Sequence, residues 1–353
     1  MNQQILDLAS SYLQAAVAPQ AGAIDRDPVA LKAALTGLGD RSLLGLMVPQ
    51  DWSGPEVDIG TYRAFMQLVA RYSGALAFLQ TQHQSAARRI ASSDNEALKS
   101  AYLPYMSNGE VLLGVGVSQL RRPGPPLVKA LPVEGGYQIH GLVPWITGFG
   151  LFQEFIIGAT LPDGRALFGL VPLRKTSNIA FSEPMELAAM TSTNTVTAVI
   201  RNWFLPQQQV VSIKPADWYR ENDKKNVLHH SLFPLGCARA GLDIVENTAK
   251  VKNLPFIGDA LISLNRELTN CDRAIMAAGP RDSFDDRLEL RAWAIDLAVR
   301  CAHAAVAVSS GVANYSDHPA QRVYREAMVY TVFGQTTAVM EATLARLISK
   351  NAQ

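Results

Sequence analysis

The sequence has no excess of charge of either sign. Its formal net charge is only +1, from 32 Lys and Arg against 31 Asp and Glu, and it contains no basic run and no basic-aromatic patch. A nucleic-acid-binding surface needs concentrated basic residues to neutralise phosphates, so this balance argues against that class of function. We therefore expect no nucleic-acid partner.

Cysteine is scarce, and long apolar runs are absent. The three cysteines, Cys237, Cys271 and Cys301, are odd in number and widely spaced, with neither CxxC nor metal-ligand spacing. We expect them to be reduced and buried in a cytoplasmic protein that has no metal site. The N-terminus has no signal-peptide pattern, and no uninterrupted apolar run is long enough to span a bilayer, so we expect no membrane association.

The composition is that of a compact protein with a large core. Hydrophobic residues make up 48% of the 353 residues and charged residues 18%, which allows two or three domains. Residues 1–110 are predicted to be helical, because apolar residues recur at helical spacing. Asp27-Pro28 predicts a helix start, and residues 93–96 (Ser-Asp-Asn-Glu) predict a capping box.

Residues 111–213 change to a β pattern, and we predict an antiparallel, barrel-like domain there. Gly135-Gly136 indicates a turn before an alternating strand, and Asp163-Gly164 indicates a tight hairpin turn. The connection leaving the first of these strands reads Trp145-Ile146-Thr147. From the residues alone, Trp145 is interpreted as a core side chain and Thr147 as a turn cap. The other predicted strands are 111–117, 155–160, 166–171 and 196–204.

From residue 226 the apolar spacing is helical to the end of the chain. The long periodic segments are 228–250, 258–278, 286–311 and 319–349. Four long helices with short connections predict an antiparallel four-helix bundle over residues 226–353. The expected fold is therefore mainly α with a central β domain, in the order helices, β domain, bundle.

Three motifs, together with this order of domains, carry a family resemblance over nearly the whole chain. They are residues 46–54 (Leu-Met-Val-Pro-Gln-Asp-Trp-Ser-Gly), Tyr102-Leu103-Pro104 with Gly109-Glu110 after it, and residues 136–141 followed by Trp145-Ile146-Thr147. The chain resembles the acyl-CoA dehydrogenase superfamily of flavoproteins. The resemblance implies FAD as cofactor and an acyl thioester or related small molecule, such as an acyl-CoA, as substrate. It also implies a homodimer or homotetramer.

The resemblance changes the interpretation of the tryptophan motif. In the family the tryptophan packs on the flavin ring, and the threonine forms a hydrogen bond near the reactive edge of the ring. Ser118 retains a hydroxyl group where the family has threonine, and Thr336 matches a position in its last bundle helix. The implied cofactor-binding residues are Ser118, Trp145, Ile146, Thr147 and Thr336.

Several family positions are altered in this chain, and they leave the reaction open. The carboxylate base that takes the α-proton in the family aligns with Gly334, and glycine cannot move a proton. Some members place the carboxylate on the first bundle helix, where this chain has His229-His230. Histidine can act as a base at neutral pH, but such a pair is more often capping or solvated. We assign no catalytic residue from the sequence.

Changes at the cofactor side point to two alternatives. Arg121-Arg122 replaces a segment that helps to bind acyl-CoA in the family. The two arginines either bind a phosphate or carboxylate group or lie in a solvated loop. The two family motifs near the flavin diphosphate have become residues 252–256 and 308–312. The alternatives to a dehydrogenase are a flavin-dependent monooxygenase-type member and a non-catalytic member with an eroded flavin site.

Overall fold

The computed structural model describes residues 2–279 and 281–349, and it has helical, β and helical regions in the predicted order. The fold class is therefore confirmed. The first region contains α1 (Asn2–Tyr12), α2 (Ala21–Arg26), α3 (Pro28–Gly39), α4 (Ile59–Tyr72), α5 (Gly74–Ala91) and α6 (Glu96–Tyr102).

Side chains that cap the first turn mark where helices in this region begin. Asp27 accepts a hydrogen bond from the backbone N–H of Val29 at the start of α3, as predicted. The predicted capping box at residues 93–96 was wrong in its first residue, because Asn95 caps α6 by accepting from the N–H of Leu98.

The middle region is one eight-stranded sheet. Its strands run in the order β6-β7-β3-β2-β4-β5-β8, and β1 pairs with β4. The β1–β4 and β2–β4 pairings are parallel, so the prediction of a wholly antiparallel domain was wrong. The strands are β1 (Leu113–Gly116), β2 (Val128–Val133), β3 (Gly136–Ile146), β4 (Glu154–Thr160), β5 (Ala166–Pro172), β6 (Ile179–Phe181), β7 (Val196–Pro206) and β8 (Val210–Lys214).

The C-terminal region is a bundle whose last predicted helix is broken. After the short α7 (Trp218–Lys225), the helices are α8 (Leu232–Lys252), α9 (Pro255–Ala277), α10 (Phe284–Ser309), α11 (Pro319–Val332) and α12 (Thr337–Ser349). The break at residues 333–336 contains Gly334 at φ +61°, a left-handed conformation that favours glycine. The segment Phe284–Asn314 is long and apolar enough to cross a membrane by length and composition alone, but its helix α10 packs against α8, α9, α11 and α12.

Polar contacts fix the three regions against one another. The His83 ring on α5 is fully buried, with Nε2 2.9 Å from the carbonyl of Met106 and Nδ1 accepting from the N–H of Leu113 at 3.0 Å. These two bonds hold β1 against α5. Arg71 on α4 forms a two-pronged ion pair with Asp243 on α8, at 2.7 and 2.9 Å. This pair holds α4 against the bundle helix α8.

Candidate active site between the sheet and the bundle

Trp145 and Ile146 lie in the strand β3 and not, as predicted, in the connection after it, whereas Thr147 directly follows the strand as predicted. Between Val143 and Ile146 the pairing with β7 shifts, since these residues pair with Ala198 and Val196, so β3 contains one extra residue. Such a bulge re-aims the side chains that follow it. Trp145 consequently remains 45% exposed although it belongs to an otherwise well-packed strand.

The three motif residues have different surroundings. Ile146 is fully buried in the hydrophobic core, so its side chain does not face a cleft. Thr147 is also buried, and its hydroxyl lies 3.1 Å from the hydroxyl of Thr195. Trp145 is therefore the motif side chain that offers an open aromatic face, and its predicted assignment to the core was wrong.

Ser118 opens a short helical turn directly after β1. The turn is fixed by Gln119, whose Nε2 donates to the carbonyls of Gly116 at 2.9 Å and Gly158 at 2.7 Å. The hydroxyl of Ser118 is buried and has no hydrogen-bond partner within residues 2–279 and 281–349. A buried, unsatisfied hydroxyl costs about 1–3 kcal/mol, so a ligand that bonds to it gains correspondingly.

On the bundle side, His230 takes the space that a side chain at position 334 would need. A Cβ added to Gly334 would lie 2.4 Å from His230 Cδ2 and 2.6 Å from Nε2, closer than real Cβ contacts. Arg291 holds the break between α11 and α12, because its Nη2 donates to the carbonyls of Phe333 at 2.7 Å and Gly334 at 3.2 Å. The imidazole of His230, in the turn before α8, thus occupies the space beside Gly334 that a side chain would need.

Aromatic rings pack around His230. Phe333 lies edge-on to His230, with ring centroids 4.7 Å apart, and edge-on to Phe78, at 4.8 Å. Phe233 approaches Phe333 at 5.3 Å. Two open surface recesses, of about 540 and 400 Å³, lie elsewhere, beside α1 and α3 and on the outer face of β3 and β7.

Neither histidine caps a helix, and both are only partly exposed, so the interpretation as a capping or fully solvated pair was wrong. Burial lowers the pKa of His229 to about 4, and the nearby Arg88, Arg63 and Arg291 lower it further. Burial likewise holds the pKa of His230 well below its usual 6.5, with repulsion from Arg291 as the next cause. Both rings are therefore neutral at pH 7, and the lowered pKa makes each ring a weaker base than a free imidazole.

Arg121 is held in a defined geometry, so the solvated-loop interpretation was wrong for it. Its Nε and Nη2 donate to the two carboxylate oxygens of Asp223 on α7, at 2.7 and 2.9 Å, and its guanidinium lies 5.0 Å from the ring centroid of Tyr219. Arg122 is exposed.

Thr336 and the other polar side chains near the bundle have capping or structural roles. The hydroxyl of Thr336 accepts a bond from the N–H of Val339 in the first turn of α12, so it caps that helix. Glu326 is fully buried and accepts from Arg322 at 2.7 Å and from the N–H of Gly74 at 3.0 Å. Lys252 Nζ donates to the carbonyl of Val308 at 2.6 Å, which brings together the two segments that replace the diphosphate motifs.

The comparisons with known proteins agree with this architecture. The family model for the acyl-CoA dehydrogenase N-terminal domain matches residues 1–110. An acyl-CoA dehydrogenase of Bacillus subtilis is 22% identical over 340 residues, covering 88% of each chain. An isovaleryl-CoA dehydrogenase of Oryza sativa is 21% identical and covers 99% of this chain and 91% of its own.

Solved structures show the same fold over almost the full chain. A glutaryl-coenzyme A dehydrogenase gives a TM-score of 0.84 at 19% identity, covering 98% of this chain and 95% of its own. The butyryl-CoA dehydrogenase of Megasphaera elsdenii gives a TM-score of 0.81 at 17% identity, covering 98% of each chain. The chain belongs to the acyl-CoA dehydrogenase superfamily. At Gly334, which the resemblance aligns with the family's carboxylate, the ring of His230 leaves no room for a side chain.

Sequence reasoning missed three groups at this site. Phe78, on α5, was taken only as part of a helical stretch, and its approach to Phe333 depends on how α5 packs against the bundle. Asp223 lies in the connection that was left unassigned, at residues 214–225. Arg89 carried no motif, and only the fold shows its guanidinium 4.8 Å from the ring centroid of Phe168.

Proposed function

We propose that this protein is a FAD-dependent oxidoreductase of the acyl-CoA dehydrogenase type, acting on an acyl thioester or a related small substrate. The observation that carries the proposal is the buried hydroxyl of Ser118, which has no hydrogen-bond partner in the described residues. The curated relatives named above are an acyl-CoA dehydrogenase and an isovaleryl-CoA dehydrogenase, and this chain matches each of them over most of its length.

The residues present fit the ring of the cofactor. Ser118 can bond to a polar edge, since its hydroxyl has no partner in the described part of the chain. Trp145 supplies a flat apolar surface, 45% exposed, against which an aromatic ring can stack. Bound FAD would supply the acceptor for a hydride from the substrate.

We infer that His230 is the candidate proton acceptor in place of a carboxylate. Its ring lies over Gly334, and its pKa is held well below 6.5 by burial, so the imidazole is neutral at pH 7. Its Nδ1 is buried and has no hydrogen-bond partner in the described residues. Phe78 and Phe333 would exclude water from this point.

One observation favours a second candidate, a flavin-dependent monooxygenase-type reaction. Gly334 carries no carboxylate, and the nearby Glu326 is committed to Arg322 and the N–H of Gly74. A reaction of reduced flavin with oxygen does not require abstraction of an α-proton, so it would tolerate this loss.

We also propose that the protein is a homodimer or homotetramer that works in the cytoplasm. Support comes from α11 and α12, which expose the apolar side chains Met328, Val332, Met340 and Leu344 by 44–58%. Light scattering coupled to gel filtration would test this, and a monomer at micromolar concentration would contradict it.

The test of function is anaerobic reduction of the FAD-loaded protein. Loss of the visible flavin absorbance on adding an acyl-CoA supports the dehydrogenase. Oxygen consumption with a flavin reductase, but no reduction by any acyl-CoA, favours the monooxygenase type. A protein that takes up no FAD contradicts both and leaves the non-catalytic alternative.

A further inference from the structure

Arg291, on α10, is a buried cation that bonds to main-chain carbonyls. The residue is only 2% exposed. Burial lowers the pKa of Arg291 to about 10, with repulsion from Arg121 as the next cause, so the guanidinium still carries its charge at pH 7. Within residues 2–279 and 281–349 no carboxylate bonds to it. A buried charge without a counter-ion is unfavourable, so an apolar side chain would serve better if the role were packing alone.

The carbonyls that Arg291 bonds belong to two separate segments of the chain. Its Nη1 donates to the carbonyl of Val227 at 2.9 Å. Its Nη2 donates to the carbonyls of Phe333 at 2.7 Å and Gly334 at 3.2 Å. Val227 begins the short helical turn Val227–Ser231 before α8, and the other two residues lie in the break between α11 and α12. One guanidinium therefore joins segments that are far apart in the sequence.

Both joined segments meet at the ring of His230. This residue lies in the turn that begins at Val227. Its ring centroid is 4.7 Å from that of Phe333, and a Cβ at Gly334 would lie 2.4 Å from its Cδ2. Hydrogen bonds from a charged donor contribute about 1.5–3 kcal/mol each, so the three bonds of Arg291 are strong enough to fix the imidazole against the break.

We propose that Arg291 is a positioning residue, which holds the imidazole of His230 beside Gly334 by bonding the turn before α8 to the break between α11 and α12. It rests on the proposed function for the role of His230 as proton acceptor, and it deepens that function by naming the residue that sets the acceptor's geometry. Arginine suits this role because its planar fork presents several donors in a fixed arrangement, whereas lysine presents a point charge.

Arg287 provides a matched control one turn earlier on α10. Its Nη1 donates to the carbonyl of Lys225 at 2.9 Å, so it also reaches the connection before α8. Its other bond in the described residues goes to the carbonyl of Ser283, not to the break, and its side chain is partly exposed. Arg287→Gln therefore removes the same charge from the same helix without releasing residues 333–334.

The first test is NMR of the histidine ring signals in the flavin-free protein. Arg291→Gln and Arg291→Lys should both shift or broaden the ring signals of His230, because neither replacement offers the planar fork that bridges the two segments. Arg287→Gln should leave them at their wild-type positions. The ring of His83 is held by other elements, through bonds with Met106 and Leu113, and should keep its signals in every variant.

The second test is anaerobic stopped-flow reduction of the FAD-loaded proteins by butyryl-CoA. A misplacement of about 1 Å can lower a rate roughly a hundredfold, so both Arg291 variants should lower the limiting rate of flavin reduction roughly 10–100-fold. The dissociation constants of FAD and butyryl-CoA should stay within about twofold of wild type, because Arg291 acts through His230 and not on either ligand. Arg287→Gln should reduce its flavin at the wild-type rate.

Unchanged His230 signals in both Arg291 variants would overturn the proposal, as would signals of His230 and His83 that change together. An Arg291→Lys variant with the wild-type reduction rate would also overturn it, since the charge alone would then suffice. If the wild type shows no flavin reduction by butyryl-CoA, the proposed function is contradicted for this thioester. The ring signals of the flavin-free protein still decide whether Arg291 positions His230.

If neither Arg291 variant folds, the guanidinium of the wild-type protein decides the matter. Bonds to three carbonyls predict separate, slowly exchanging NMR signals for the Nη1 and Nη2 protons of Arg291. Rapidly averaged Nη signals would show that the guanidinium rotates freely, and they would overturn the proposal.

Discussion

Replacing Gly334 by alanine tests whether His230 really fills the space beside this glycine. The backbone at this position is left-handed, with φ +61°, and alanine there costs roughly 1–2 kcal/mol. The new Cβ would also lie 2.4 Å from His230 Cδ2, so the buried imidazole must move. Overpacking of this kind costs roughly 1–3 kcal/mol. We therefore expect Gly334→Ala to lower the free energy of unfolding by about 2–5 kcal/mol.

A double-mutant cycle separates the two contributions. In a His230→Ala background the clash is absent, so Gly334→Ala should cost only the backbone term of about 1–2 kcal/mol. The coupling energy between the two positions is then about 1–3 kcal/mol, measured by urea denaturation of the four proteins.

Additive effects would refute the reasoning. If the cost of Gly334→Ala is the same within about 0.5 kcal/mol with and without the imidazole, the two side chains do not compete for space. The control is Gly311→Ala, at a glycine where an added Cβ meets nothing within 4 Å, and it should show no coupling to His230→Ala.

Three further predictions concern binding and stability. Ser118→Ala should weaken FAD binding roughly tenfold without destabilising the flavin-free fold, because the Ser118 hydroxyl is unpartnered in the described chain. The control is Ser177→Ala, at an exposed serine. Equal FAD affinity of the wild type and both variants would contradict the assignment of Ser118. Burial lowers the pKa of His83 from 6.5 to about 4. Between pH 6.5 and pH 4, His83 therefore takes up a proton in the unfolded state but not in the folded state. The free energy of unfolding should therefore fall by up to about 3 kcal/mol from pH 6.5 to 4, and His83→Gln should flatten that slope in urea denaturation; a slope unchanged by the substitution would exclude His83 as its source. Glu326→Ala leaves Arg322 buried without its partner and should cost about 3–5 kcal/mol by thermal or urea unfolding, whereas a loss below 1 kcal/mol would show that the pair is not structural.

The order of the three regions could be predicted from the sequence because each depends on local periodicity. Helical spacing and alternation are properties of consecutive residues, as are the turn at Asp163-Gly164 and the cap at Asp27. The parallel pairings of β4 could not be predicted, because they join strands that are distant in the sequence. The strand β2 was missed because it is short, follows a proline-rich loop and contains Pro132.

A residue of the candidate site could be predicted from the sequence only where a single local segment identifies it. The tryptophan motif and Ser118 stand on single strands or turns, so a local resemblance found them. The exposure of Trp145 depends on a bulge against β7, and the burial of His230 depends on the break at Gly334. The pair of Arg121 with Asp223 joins the turn after β1 to α7, and no spacing in the sequence encodes such a contact. These features arise from packing between regions, which sequence periodicity does not report.

The visible absorbance spectrum of the purified protein, recorded after incubation with FAD and gel filtration, tests the central claim most directly. We predict a flavin spectrum close to one FAD per chain, reduced strongly in Trp145→Leu. Phe204→Leu, which alters another exposed aromatic residue on the same sheet, should retain the cofactor. A colourless wild-type protein, or equal FAD retention in wild type and Trp145→Leu, would contradict a flavin site built on this strand.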